Sequence, residues 1–252
     1  MYNRKIFLQN PNQSGSGSGS VVATSGRTLY RHSSGMGTVM EFTDTQARSV
    51  LVLDAAYRGT GLYMANSGMK PNLPAYGSYN VNGTCYVDGG DVGTTAQACA
   101  HLTDDDLNTI WANKIDSNTS KYNCDTIITK ATEQNTLSWL EGINHCRAIT
   151  VNGVGCDVPN IQILQRIYCD ADAIDALDPT VNSYTANALG ALNPVGNFCI
   201  GGSNTYVWAS TYWGLGMWNY GCCWLMSSVG FCDSRWFNYR YNVIPVLELE
   251  YL

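Results

Sequence analysis

Between Pro179 and Cys232 the chain carries no Asp, Glu, Lys, Arg or His. A stretch that long without a charge has two homes: a bilayer, or the interior and uncharged surface of a turn-rich sheet. Asn, Ser, Gly and Tyr break every run of the roughly 20 apolar residues that a membrane span needs, so no membrane insertion is expected. Hydrophobic residues make up 45% of the 252, enough to bury a large core. Charged residues make up 13%, well below the roughly 25% of ordinary soluble domains, so Asn, Ser, Thr, Tyr and Gly must solvate much of the surface. A net charge of −6 without a basic stripe argues against nucleic acid as a partner, because phosphate contacts rely on Lys and Arg.

The end of that stretch is crowded with rings. Five of the seven tryptophans fall within residues 204–242 (Trp208, Trp213, Trp218, Trp224 and Trp236), together with Tyr206, Tyr212, Tyr220, Tyr239, Tyr241, Phe231 and Phe237. This is more aromatic surface than one small core can bury. Tyr and Trp give large contact area at low entropic cost, and Ser, Gly and Asn add adaptable hydrogen bonds, which is the chemistry of a binding surface. Filling the core between short strands is the other use for such rings. Trp208 and Trp224 are expected inward, and the irregular remainder outward.

Along the chain, residues 1–20 end in alternating Ser and Gly, a linker composition that cannot pack a core. No apolar segment of signal-peptide length precedes Gln9, so no secretory leader is expected there. Residues 21–70 read as short strands, at Thr38–Thr43, Ser49–Asp54 and Gly61–Ala65, with turn punctuation. They form either a β-rich lead-in to the main domain or an assembly module that borrows stability from neighbouring copies. Residues 71–118 form a Gly-rich acidic connector in which Thr103 caps a short helix opened by Asp104, Asp105 and Asp106. From 119 to the end one larger domain is expected. Thr126-Ile127-Ile128-Thr129 reads as a strand. Leu137, Leu140, Ile143 and Cys146 line one face of a helix, and Ile161, Leu164, Ile167 and Tyr168 line a second that ends before Asp178-Pro179. Short strands follow, up to Val243–Leu249. Two helices followed by irregular strands indicate an α+β domain.

Catalytic and metal motifs are sparse. Asp170, Asp172, Asp175 and Asp178 lack the Gly and Glu of a calcium loop and read instead as a helix face with capping acids. His145, Cys146 and Cys156 lack the paired spacing of a zinc site. Neither a Gly-x-Ser-x-Gly elbow nor a phosphate-binding Gly-rich loop occurs. No catalytic residue, metal or cofactor is assigned, and the ten cysteines are expected to be mostly buried thiols.

Three pieces in order carry a resemblance that covers about half the chain. They are Ser138–Cys146 before a Gly-rich turn, Cys156-Asp157-Val158-Pro159-Asn160 opening a helix, and Val207-Trp208-Ala209-Ser210-Thr211-Tyr212 followed by Val243-Ile244-Pro245-Val246-Leu247. Residues 126–252 thereby resemble the C-type-lectin fold of diversity-generating-retroelement variable proteins. The family has Trp-Ser-Ser-Thr where this chain has Trp208-Ala209-Ser210-Thr211. The Glu-Pro-Asn, Gln-Pro-Asp and Trp-Asn-Asp motifs of calcium-dependent lectins are missing, so no calcium-bridged glycan site is implied.

The resemblance implies a mechanism for generating diversity. A reverse transcriptase copies a template with errors at adenines, and the copy replaces the 3′ end of the gene, randomising chiefly Asn-type codons. Those codons can yield Tyr, Ser, Gly, Asp, Cys, Arg, Phe and Leu among others, but not Trp, Met, Lys, Gln or Glu. The ligand-binding, variable positions implied are Tyr212, Gly214, Leu215, Asn219, Tyr220, Cys222, Leu225, Ser227, Phe231, Asp233, Ser234, Arg235, Phe237, Asn238, Tyr239, Arg240 and Tyr241. The function implied is that of a receptor-binding adhesin, not an enzyme. It would sit at a phage tail-fibre tip on the virion, act outside the host cell as a homo-oligomer such as a trimer, and bind a bacterial cell-surface protein or glycan. A formylglycine-generating type of enzyme, for which Cys222 and Cys223 are the test, and a structural virion or cell-surface protein are the alternatives on the same scaffold.

Overall fold

The computed structural model describes residues 20–23, 25–42, 48–74, 105, 116, 118–181, 206–215, 221–227 and 232–249. Within them the chain is a mixed α+β protein, with four α-helices and three sheets whose strand pairs are antiparallel save one.

The first sheet holds β1 (Val21–Val22), β2 (Thr28–Arg31), β3 (Gly37–Glu41), β4 (Ser49–Leu53) and, beside β4, β12 (Val246–Leu249). Every residue of β4 is buried, and the two-residue period of a strand divides them between two cores. Val50 and Val52 join Leu29, Met40 and Phe42 on one face, and Leu51 and Leu53 join Val39, Leu247 and Leu249 on the other. Because Leu51 and Val52 pair with Leu247 and Val246, the N-terminal strands share a sheet with β12. The chain crosses between sheets at Ile244-Pro245, where the Leu53 amide donates to the Pro245 carbonyl at 3.1 Å.

The second sheet runs in the order β10 (Cys232–Trp236), β9 (Gly221–Ser227), β8 (Tyr206–Leu215), β11 (Tyr241–Val243) and β5 (Gly59–Leu62). Its centre, β8, is buried on both faces. Val207 and Ala209 pack with α3 (Ile161–Cys169), and Trp208 and Tyr212 pack with residues of α1 (Ser120–Glu133) and α2 (Glu141–Ala148). A short hairpin, β6 (Thr150–Val151) and β7 (Val154–Gly155), follows α2, and α4 (Ala171–Leu177) follows α3.

One expected element is overturned. Thr126–Thr129 is not a strand but the middle of α1. The β-branched run carries strand propensity, yet Thr119 caps the helix by accepting the Tyr122 amide, and Cys124, Ile127 and Ala131 place one apolar face in the core. The threonines satisfy their own hydroxyls along the helix, Thr126 donating to the Tyr122 carbonyl and Thr129 to that of Asp125, each at 2.9 Å. The first expected helix begins only at Glu141, which leaves Leu137 exposed in a preceding 3-10 turn, and the second is broken at Asp170 into α3 and α4, the latter ending just before Asp178. Asn160 caps α3, accepting the Ile163 amide at 2.8 Å, which gives the Pro159-Asn160 pair a structural role.

The acids that follow α3 do more than cap. Asp170 accepts from Ser25 and Arg27, Asp175 accepts from Arg58, and Asp178 accepts the Ala55 amide. These bonds tie the N-terminal strands to the helical layer. The connector expected over 71–118 lies outside the described residues apart from 71–74, Asp105, Asp116 and Asn118; Asp105 is helical and exposed.

Candidate ligand-binding surface

The turn between β10 and β11 determines what the second sheet shows to solvent. Phe237 turns inward and is fully buried, and its carbonyl accepts the Met64 amide at 3.0 Å. With that residue fixed in the core, Asn238, Tyr239 and Arg240 project outward and are exposed. Trp236 and Tyr241, on the adjoining strands, are half-buried.

Three rings form a continuous row. The Trp236 and Tyr239 centroids are 5.9 Å apart at an interplanar angle of 30°, and those of Tyr239 and Tyr241 are 6.1 Å apart at 26°. Separations near 6 Å between nearly parallel planes are offset stacks, the favoured geometry for aromatic pairs. Tyr241 ties the row to the core edge-on, at 5.2 Å from the buried Trp208, whose indole N–H donates to the Leu62 carbonyl at 3.0 Å. Tyr206 meets Tyr241 edge-on at 5.3 Å, and the Arg235 guanidinium lies 5.8 Å from the Tyr206 ring centre. Partial burial raises the Tyr241 hydroxyl pKa, with Arg235 opposing.

A second aromatic pair adjoins the row. Tyr63, just after β5, stacks with Trp139 at 5.0 Å, and the Arg240 guanidinium covers the Tyr63 ring at 4.1 Å. Arg240 also donates to the Gly61 carbonyl at 2.8 Å and pairs with Glu141 at 3.2 Å. Its pKa is raised by the Tyr63 hydrogen bond first and then by Glu141.

The positions expected from sequence divide accordingly. Arg235, Asn238, Tyr239, Arg240 and Tyr241 come together at this surface. Tyr212 and Phe237 do not: at 6% and 0% exposure both are core, 6.2 Å apart. The burial has a plain cause, since Tyr212 lies on the face of β8 that carries Trp208 towards α1 and α2. Gly214 is likewise buried. Leu215, Cys222, Leu225, Ser227, Asp233 and Ser234 lie on β8, β9 and β10, but their side chains fall outside the described residues, as do Asn219, Tyr220 and Phe231 altogether. Of the two tryptophans expected inward, Trp208 is buried, and the Trp224 side chain falls outside the described residues. Sequence reasoning missed Tyr63, Trp139 and Glu141 as neighbours of the site. Only the β5–β11 pairing, Tyr241 opposite Leu62, places them there, and no local pattern announces it.

Among the described residues no group of three His, Cys, Asp or Glu is placed to hold a metal. Cys124, Cys146, Cys156 and Cys169 are all buried. Burial pushes the Cys124 and Cys146 thiols well up and that of Cys156 to about 12, so these stay protonated and are poor nucleophiles at neutral pH. The Asp116 carboxylate, also buried, is occupied by Asn123 and Thr211, each at 2.7 Å. Comparison with known proteins finds no match to a family model, to a curated protein or to a solved structure.

Proposed function

We propose that the chain is a receptor-binding adhesin. On this reading a lectin-like scaffold presents a retroelement-diversified surface to a molecule on a bacterial cell, and the protein sits at a phage tail-fibre tip. The observation that carries the reading is the Trp236–Tyr239–Tyr241 row, partly open to water yet anchored through Tyr241 on the buried Trp208. Aromatic side chains that are already immobilised lose little entropy on binding, and a few such anchors supply most of an interface's affinity. Several weak sites on one virion would add avidity.

Two helices, a short hairpin and strands that return to the first sheet support a C-type-lectin-like arrangement for this scaffold. Tyr212 and Phe237 turn inward, and the described part of the proposed ligand face is Arg235, Trp236 and Asn238–Tyr241.

The test is at DNA level, in the neighbourhood of the gene. The expected finding is an imperfect repeat of its 3′ end, beside a reverse-transcriptase gene, differing mainly at adenines in codons such as those of Asn238 and Tyr239. A 3′ end with no such repeat, or differences spread evenly over all four bases, would contradict diversification by a retroelement.

A further inference from the structure

Glu141 opens α2 and touches both Tyr63 and Arg240. Its Oε2 accepts the Tyr63 amide at 3.3 Å and its Oε1 accepts from the Arg240 guanidinium at 3.2 Å. The next residue, Gly142, donates its amide to the Tyr63 carbonyl at 2.8 Å. The first turn of α2 therefore grips the Tyr63 backbone from both sides. A side chain on Gly142 would bring its Cβ to 3.1 Å from Val243 and 3.4 Å from that carbonyl, so the helix packs closely here with no room to spare. Tyr63 is a fixed pedestal on which Arg240 lies.

Resting on the adhesin reading, we infer that Tyr63 and Glu141 are positioning residues that hold the Arg240 guanidinium flat, as a shelf on which an aromatic side chain of a polypeptide ligand stacks. Two observations favour an aromatic group over an acidic one. Arg240 is already paired with Glu141, so the net charge offered to an anion is close to zero. Its side chain nevertheless remains 51% exposed, with Tyr63 on one face. A guanidinium plane is weakly hydrated and stacks well on π systems. Arg240 stands between Tyr239 and Tyr241 in the chain, and its supports Tyr63 and Glu141 come from outside the 204–242 segment.

The experiment titrates the full chain, labelled with 15N-arginine and 15N-tryptophan, with unlabelled N-acetyltryptophanamide and separately with the carboxylate N-acetyltryptophan. It follows the Arg240 Nε–H signal, identified by its loss in Arg240→Lys, and the Trp236 indole N–H signal, identified by its loss in Trp236→Phe. The amide is expected to shift the Arg240 signal. Tyr63→Leu should weaken that binding by about threefold to fivefold, the loss of one exposed cation–π contact, and Tyr63→Phe should restore it. Glu141→Gln, which uncovers the charge, should make the carboxylate bind more tightly than the amide, a preference absent from the unaltered protein.

Binding unchanged in Tyr63→Leu, or a carboxylate preference already present with Glu141 in place, would overturn the shelf. A shift of Trp236 with none at Arg240 would remove the shelf and leave the aromatic row standing. No shift at either would remove both.

Discussion

Two neighbours in the chain, Phe237 and Tyr239, show how one turn separates framework from surface. Phe237 is fully buried beside Tyr212, Val243 and Trp208, whereas Tyr239 is 43% exposed. Truncating a buried aromatic loses its transfer free energy and leaves a cavity. Phe237→Ala is therefore expected to lower stability by about 3–5 kcal/mol in denaturant unfolding, and Tyr239→Ala by about 0.5 kcal/mol or less. Equal losses would show that the turn does not divide the two residues this way. The sequence announces an aromatic-rich segment but not which rings face inward. The list of adenine-reachable codons places Phe237 and Tyr239 in one class, because codon chemistry is blind to the turn that separates them.

At the level of elements, local propensity and tertiary packing disagree once and agree elsewhere. β3, β4, α3 and β12 are legible from period and caps, because each carries its burial pattern in its own residues. The run Thr126–Thr129 misleads, because its preference for strand is overridden by an N-cap and a packed face that lie outside the four residues. The segment between β7 and α3 shows a related tension in its charges. Asp157, 4% exposed, bridges to Val246 of β12 through reciprocal backbone bonds of 2.8 and 3.0 Å, and its carboxylate meets Arg147 of α2 at 2.5 Å. Burial raises its pKa from 3.8 to about 6, with Arg147 opposing and Asp125 adding to the rise. The folded chain thus keeps a proton that the unfolded chain releases between those values. The resulting stabilisation is complete below pH 4 and is lost as pH rises to about 6, by ~3 kcal/mol for this group alone. Chemical denaturation across that range should show this falling component, and Asp157→Asn should remove it. An unaltered slope in the variant would assign the pH dependence elsewhere.

Across the whole molecule, the parts of the surface come from segments far apart in sequence. β5 brings Tyr63 beside β11, α2 brings Glu141, and β12 closes the sheet begun by β1–β4. Such pairings leave no local trace, which is why an α+β class and an aromatic-rich segment near the C-terminus can be read from sequence but the approach of Tyr63, Trp139 and Glu141 to it cannot. The buried ties from Asp170 to Arg27 and from Asp175 to Arg58 make the N-terminal strands and the helices one framework, so the exposed row can lose side chains without loosening what carries it.

The most direct measurement follows from that separation. The fluorescently labelled chain and its Trp236→Ala, Tyr239→Ala double variant are compared for adsorption to a panel of bacterial strains, with thermal unfolding recorded alongside. The expected result is adsorption reduced by about tenfold or more, the loss of one or two anchor residues, with an unchanged unfolding midpoint. Undiminished adsorption by a variant that folds normally would contradict the assignment of this row as the receptor-binding surface.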